Sequence, residues 1–242
     1  MKRAVLLLGA ASAVAISSHA SAQTSQAADA PQNEDETIVV SAARTQLPAS
    51  ALPLTIDVID REQLARQVQI SGSTVDAVSA LLPSFSPTRE KLTGSGESLR
   101  GRSPLYAING IPQSTPVRDG SRDGYTIDPF FIDRVEVIYG SNALQGIGAT
   151  GGVVNQVTVG APASDGITSR ALAQVTASDS FAGEGIGAKL GSLIGYRAGG
   201  FDASIGATVE RRGTFFDGAG NRIGVDGTQG ELQDSDSWSV FA

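Results

Sequence analysis

The chain has 242 residues, including 29 glycines and no cysteine, and its formal net charge is −7 at pH 7. An acidic chain without a basic stripe has no electrostatic basis for binding nucleic acid. Its single histidine, His19, lies in a segment that export would remove, which excludes Ser-His-Asp and Cys-His nucleophiles and the usual zinc and copper ligand sets. We therefore expect no enzyme, no cofactor, no metal site and no disulfide framework.

Residues 1–22 have the pattern of a signal peptide. Two basic residues follow Met1, Ala4 to Ile16 is an apolar region, and the segment ends in an A-x-A cleavage site. The apolar region is shorter than the roughly 20 residues that a transmembrane helix needs. Residues 23–36 have no large apolar side chain, so we expect a flexible linker there.

The segment TIVVSA, residues 37–42, is rich in β-branched residues and follows the linker directly. An extended peptide on a flexible tether can add a strand to the exposed sheet edge of a partner. The alternative is that Ile38 to Val40 forms a strand of the domain that follows.

Residues 44–161 have the pattern of one compact α+β domain. Its first strand, Pro53 to Ile59, alternates, and Leu54, Ile56 and Val58 are predicted to face inward. Two helices follow, and each begins at a predicted capping box, Asp60 with Gln63 and Ser73 with Asp76.

A hairpin and a polar loop come next. Leu105 to Ile108 predicts a strand that Asn109-Gly110 closes in a tight turn. The loop Gln113 to Thr126 is polar, and Asp128 with Pro129 predicts the cap and first residue of a short helix. The charged and aromatic residues of the loop are Arg118, Asp119, Arg122, Asp123 and Tyr125.

Asp133 to Thr158 reads as strand, glycine-rich turn and strand. Arg134 to Tyr139 alternates, with Arg134 and Glu136 on one face, which is typical of a half-buried strand. The turn also contains G-x-G-x-x-G, the dinucleotide-binding pattern, at residues 146–151. That pattern needs a helix directly after the glycines, whereas the run from Val153 is strand-like.

The same stretch resembles the end of the plug domain of TonB-dependent outer-membrane receptors. It departs from the family at Tyr139 and Ser141, where Arg and Pro are usual, and at Gln145, where Tyr is usual. The matching residues are Ile132, Arg134, Val135, Glu136, Val137, Gly140, Gly146, Ala149, Gly151, Gly152, Val153, Val154, Asn155 and Thr158.

The upstream motifs follow the plug order, so the resemblance covers Thr37 to about Val159. It implies that Arg100-Gly101 and Asn109-Gly110 are structural plug motifs, together with Arg134, Glu136, Gly140, Gly151, Gly152 and Asn155. It also implies a TonB box, the segment that the energy-coupling protein TonB binds, made of Thr37, Ile38, Val39, Val40, Ser41 and Ala42.

Residues 162–242 contain segments of about ten residues that alternate between apolar and polar, which is the pattern of outer-membrane barrel strands. A soluble β-sandwich shows the same alternation, and the preceding plug pattern favours the barrel. The fold class that we predict is an α+β plug domain, a small mixed sheet with short helices, followed by the first antiparallel strands of an incomplete transmembrane β-barrel. Plugged transporters have about 22 strands, so we expect an N-terminal fragment.

The resemblance implies TonB-dependent import of a scarce nutrient across the Gram-negative outer membrane. A ferric siderophore is the commonest substrate class of the family, while cobalamin, saccharides and other metal complexes stay open. The implied partners are TonB, outer-membrane lipid around the complete barrel, and a small-molecule or metal-chelate substrate that the Gln113 to Thr126 loop would contact. Two other classes stay open, a soluble periplasmic binding or interaction protein and a nucleotide-dependent enzyme built on the glycines.

Overall fold

The computed structural model describes residues 54–87, 92–113, 122–141, 148–178, 181, 183–223 and 233–242. The predicted signal peptide, linker and TonB box lie outside the described residues. The described helices are α1 (Arg61–Ser71) and α2 (Thr74–Leu81). The described strands are β1 (Ile56–Ile59), β2 (Phe85–Ser86), β3 (Ser98–Leu99), β4 (Pro104–Ile108), β5 (Ile111–Pro112), β6 (Ile132–Tyr139), β7 (Gly152–Thr158), β8 (Gly166–Thr176), β9 (Gly187–Ala198), β10 (Phe201–Arg212) and β11 (Ser235–Phe241).

Both helices begin where the capping boxes predict. The Asp60 carboxylate accepts a hydrogen bond from the Gln63 backbone N–H, and the Gln63 side chain accepts one from the Asp60 backbone N–H. At the start of α2 the Ser73 hydroxyl accepts from the Asp76 backbone N–H at 3.1 Å. These bonds satisfy N–H groups that have no partner within a helix. No helix in the described part of the chain is long and apolar enough to cross a membrane.

A mixed five-stranded sheet carries the α+β domain, in the order β1-β6-β7-β4-β5. Only the β4–β7 pairing is parallel among these described strands. The helices cover one face, where Val135 and Val137 belong to the core, and Ile138 packs with Leu105 and Val153 on the other face. The prediction of a half-buried β6 is therefore wrong. β6 lies inside the sheet with both faces covered, and Glu136 is fully buried.

The first strand also differs from the prediction. Leu54, predicted to face inward, is 38% exposed and precedes β1, whereas Ile59 is the buried residue of the strand. The physical reason is that β1 is an edge strand that pairs only with β6, from Ile56 to Ile59. Residues before the paired segment gain no cover from the sheet.

The predicted turns are present. Asn109 and Gly110 join β4 to β5 with φ of 50° and 77°, the left-handed conformation that a two-residue hairpin turn requires. The predicted short helix is a 3₁₀ turn, Pro129–Phe131, in which the Asp128 carboxylate caps the Phe130 N–H at 2.9 Å.

The second sheet is antiparallel, in the order β11-β10-β9-β8. The predicted alternation of apolar and polar residues is confirmed. On β9, Leu190 and Ile194 are exposed on one face, whereas Lys189 and Leu193 are buried on the other. The buried face lies against the α+β domain. We call this sheet, strands β8 to β11, the wall.

Candidate functional site

A buried polar network joins four of the predicted plug motifs. Glu136 lies opposite Asn155 across the β6–β7 pair. Its carboxylate accepts hydrogen bonds from the Arg134 side chain at 3.0 Å and from the Asn155 amide at 2.8 Å. The Asn155 carbonyl oxygen in turn accepts from the Gly110 N–H at 2.8 Å. The buried carboxylate is thus paired with a cation and hydrogen-bonded, as a charge inside a protein must be.

Arg100, the other arginine among the predicted plug motifs, stacks on Tyr139, one of the residues that depart from the family pattern. The Arg100 guanidinium lies 4.0 Å from the ring centroid of Tyr139, a cation–π contact. The Tyr139 hydroxyl donates to the Asp57 carboxylate at 2.6 Å and lies 2.9 Å from the Ser84 hydroxyl. Tyr139 therefore connects β6 to the edge strand β1 and to the segment that follows α2.

A second buried carboxyl, that of Glu97, lies directly before β3. Glu97 is 5% exposed and accepts a hydrogen bond from the Tyr106 hydroxyl at 2.6 Å. Its other oxygen has no hydrogen-bond partner among the described residues. Burial raises the pKa of Glu97 to about 7. The hydrogen bond from Tyr106 lowers this pKa, and the nearby charges of Asp76 and Asp123 raise it by smaller amounts.

Replacing Glu97 with Gln should remove a pH dependence of stability. Because the pKa of Glu97 is raised in the folded state, protonated Glu97 contributes stability to the fold. This contribution is fully present below the ordinary carboxyl pKa and is lost as the pH rises through about 7. We expect Glu97→Gln to be more stable than the wild type by about 3 kcal/mol at pH 8 and nearly equal to it at pH 4. Denaturant unfolding at both pH values measures this difference.

The control for this prediction is Glu62→Gln, because Glu62 is exposed on α1 and pairs with the exposed Arg66. It should change stability by less than about 1 kcal/mol at either pH. An equal gain at pH 4 and pH 8 for Glu97→Gln would show that ionisation of this carboxyl does not affect folding.

The contact between the α+β domain and the four-stranded sheet contains a buried ionic cluster. Lys189 on β9 is 7% exposed and lies 2.9 Å from both oxygens of Asp128 and 3.1 Å from Glu210. The Thr208 hydroxyl also donates to Asp128, at 2.9 Å. Arg212 donates through Nε to Glu210 at 2.8 Å and through a second nitrogen to the carbonyl of Gly72. These contacts bond two points of the domain, Asp128 and the end of α1, to the wall.

Aromatic rings pack beside the ionic cluster. Phe131 stacks on Phe241 of β11 with ring centroids 5.0 Å apart, and it fills the space above Gly206, where a side chain would overlap its ring. Phe130 lies over Gly191 of β9, where an added Cβ would approach its ring to 3.3 Å. The glycines of the wall strands therefore leave room for the two rings, and the contact is both apolar and ionic.

The structure brings some predicted site residues together and leaves others apart. Arg122 is exposed, whereas Asp123 and Tyr125 form a 3₁₀ turn whose Tyr125 ring packs against the core. Arg118 and Asp119 lie outside the described residues. Among the described residues, no group of three or more His, Cys, Asp or Glu is placed to hold a metal ion.

Sequence reasoning missed the ionic cluster. The alternating pattern of its strand puts Lys189 on the polar face, but it does not indicate Asp128 and Glu210 as its partners, because both are distant in sequence. The available signal was a lysine flanked by apolar residues on a strand predicted to have one polar face. The nucleotide interpretation is wrong, because Gly151 is followed by β7 and not by a helix, so no helix N-terminus is present to hold a pyrophosphate.

An α+β domain held against one face of an antiparallel sheet, with an apolar opposite face, is the arrangement of a plugged outer-membrane barrel. Residues 48–153 match the TonB-dependent Receptor Plug Domain family. The chain is 34% identical over 218 residues to a rhizobactin receptor of Rhizobium meliloti, across 85% of this chain and 28% of that protein. It is 32% identical over 213 residues to a ferric aerobactin receptor of Klebsiella pneumoniae, across 88% of this chain and 28% of that protein.

A solved structure has the same fold. A ferric enterobactin receptor mutant of Pseudomonas aeruginosa superposes with a TM-score of 0.55 and 19% identity, covering 73% of this chain and 26% of that chain. The chain spans 28% of the length of the two sequence relatives. On these matches and its fold, the chain belongs to the TonB-dependent receptor family, with a plug domain followed by four antiparallel strands that form an open sheet.

Proposed function

We propose that this chain belongs to a TonB-dependent receptor that imports a ferric siderophore across the Gram-negative outer membrane. The observation that carries the proposal is the plug domain held against the inner face of a sheet whose outer face is apolar. The sequence relatives are named for rhizobactin and ferric aerobactin, which supports a ferric chelate as substrate. A transporter of this kind needs no catalytic residue.

The outer face of the sheet supports a membrane location. Its large apolar residues are exposed side by side on all four strands, and outer-membrane barrels present such a face to lipid. They include Val175, Leu190, Ile194, Phe201, Ile205, Val209, Trp238 and Val240. A soluble periplasmic protein rarely exposes so large an apolar surface, so that alternative is disfavoured.

The proposed mechanism has three steps. The chelate binds from outside, the segment from Thr37 to Ala42 becomes available to TonB, and force on that segment displaces or remodels the plug. The polar loop is the proposed place of first contact with substrate, through Arg118, Asp119, Arg122, Asp123 and Tyr125. The domain limits that accompany this proposal are a signal peptide over 1–22, a linker over 23–36, a plug over 44–161 and barrel strands over 162–242.

Val39→Pro should abolish energised uptake and leave substrate binding intact. Proline has no backbone N–H, so it removes a hydrogen bond from any strand that the box adds to TonB. Uptake of radiolabelled iron as ferric aerobactin by cells producing the receptor, with binding measured on de-energised cells, separates the two effects. The matched control is Ser25→Pro in the linker, which should transport at the wild-type rate. Wild-type uptake by Val39→Pro would remove the box assignment.

A further inference from the structure

One end of the four-stranded sheet differs from the other in its connections. Only Gly199 and Gly200 join β9 to β10, whereas residues 177–186 join β8 to β9 and residues 213–234 join β10 to β11. Outer-membrane barrels have short turns on the periplasmic side and long loops outside. If the proposed function holds, the end of the sheet at Thr176, Gly187 and Arg212 faces the exterior.

A pocket of about 570 Å³ lies at that end, between the last turn of α1 and strands β8 to β10. Ligand sites of small molecules usually have volumes of about 300–1,000 Å³. Two apolar side chains at the pocket are exposed, Ile70 of α1 at 81% and Phe215 at 40%. Gln69 and Gln174 add amide groups to its lining. We call this cavity the outer pocket.

Arg212 links the outer pocket to the plug. Its guanidinium donates to Glu210 and to the carbonyl of Gly72, the left-handed residue that ends α1. The last turn of α1 has no basic residue of its own, so Arg212 supplies the cation that stabilises the negative end of this helix. The third nitrogen, Nη1, makes no hydrogen bond with the described residues.

The charges around the pocket favour a ligand with anionic oxygens. Glu210 is the one acidic side chain among its described lining residues, and it is already paired with both Lys189 and Arg212. A ligand that enters from outside therefore meets a guanidinium with a hydrogen-bond donor to spare and no unpaired carboxylate. Charge-assisted hydrogen bonds from arginine to anionic oxygens are among the strongest in proteins.

We propose that the outer pocket binds part of an anionic, oxygen-rich ferric chelate, and that Arg212 transmits its presence to the plug. The ligand oxygen accepts from Nη1, and Ile70 and Phe215 contact the apolar part of the ligand. Because the same guanidinium holds the Gly72 carbonyl, binding alters the bond that fixes the end of α1 to the wall. This inference rests on the proposed function and adds a site and a positioning residue to it.

Arg212→Gln and Arg211→Gln make a matched pair of tests. The two arginines are neighbours on β10 and both border the pocket, but the Arg211 side chain is exposed on the opposite face of the strand, so it controls for a positive charge near the pocket. In the complete receptor, binding of ferric aerobactin and of ferric enterobactin is measured. For the chelate that the wild type binds, the dissociation constant should rise at least about tenfold in Arg212→Gln. Arg211→Gln should stay within about twofold of the wild type.

A second variant keeps the test valid where Arg212→Gln loosens the plug. Ile70→Glu places a negative charge on an exposed lining residue of the pocket and should weaken binding of the anionic chelate, whereas Ile70→Gln should have a much smaller effect. Amide hydrogen exchange of Ser71 and Gly72 should change when chelate is added to the wild type and should not change in Arg212→Gln. A purely structural role of Arg212 would not produce this ligand-dependent change.

The outcomes separate the two proposals. Wild-type binding by both Arg212→Gln and Ile70→Glu overturns the outer pocket and leaves the proposed function standing. A wild-type receptor that binds neither chelate and takes up no iron overturns both. Weaker binding in both variants, with normal binding in Arg211→Gln and a smaller loss in Ile70→Gln than in Ile70→Glu, supports the outer pocket.

Discussion

Lys189→Met should weaken the plug–wall contact by about 3–5 kcal/mol. Lys189 is the cation between Asp128 and Glu210, and its ammonium is buried with both carboxylates. Methionine fills a similar volume, but among the described residues it leaves Asp128 with the Thr208 hydroxyl and the cap bond to Phe130. An uncompensated buried charge costs far more than the pair itself contributes. Denaturant unfolding of the purified protein, with amide hydrogen exchange followed at Phe130 and Phe131, measures the loss.

The control for Lys189→Met lies on the same strand. Arg197 pairs with Asp202 at 2.9 Å, but both side chains are substantially exposed, so Arg197→Met should cost less than about 1 kcal/mol. Adding Asp128→Asn to Lys189→Met should recover part of the loss, because the orphaned carboxylate is then neutral. If Lys189→Met costs no more than Arg197→Met, the ionic cluster does not hold the plug to the wall.

Gly152→Ala should destabilise the plug by about 4 kcal/mol. Gly152 has φ of 139° at the start of β7, a conformation that other residues rarely adopt. An added Cβ would overlap the Ile138 carbonyl oxygen and approach the Leu99 side chain to 2.8 Å. Both neighbours are buried and cannot move freely. Hydrogen exchange of the β6 and β7 amides would report the loss.

Gly140→Ala separates backbone strain from close contact. Gly140 also has a positive φ, 90°, but an added Cβ would have no atom within 4 Å. Its substitution should therefore cost only about 1–2 kcal/mol, the strain alone. Equal losses in the two variants would mean that the approach of Ile138 and Leu99 to Gly152 has no energetic weight.

Much of the plug could be predicted because its signals are local. The Asp60–Gln63 capping box and the Asn109-Gly110 turn depend on residues within three positions of each other, and both are confirmed. The alternation of apolar and polar residues in β9 and β10 is confirmed as well. It is also a local signal, because the side chains of consecutive strand residues point to opposite faces. The register of the motif residues between 132 and 158 indicates the family without reference to the fold.

The burial of Glu136 and the partners of Lys189 could not be predicted in this way. Alternation shows that two residues share a face, but it does not show whether anything covers that face. Glu136 is buried because β6 lies inside a sheet covered on both sides, and Asn155 meets it across strands. Lys189 is buried because the plug brings Asp128, which lies 61 positions earlier in the sequence, against β9.

The sequence by itself determined the elements, the family and the inward and outward faces of the wall strands, because each depends on neighbouring residues or on a motif in register. The tertiary structure alone decided which polar groups are buried, which charges meet between plug and wall, and where the outer pocket lies. These depend on contacts between distant segments, whose energies come from desolvation and pairing that no local pattern encodes.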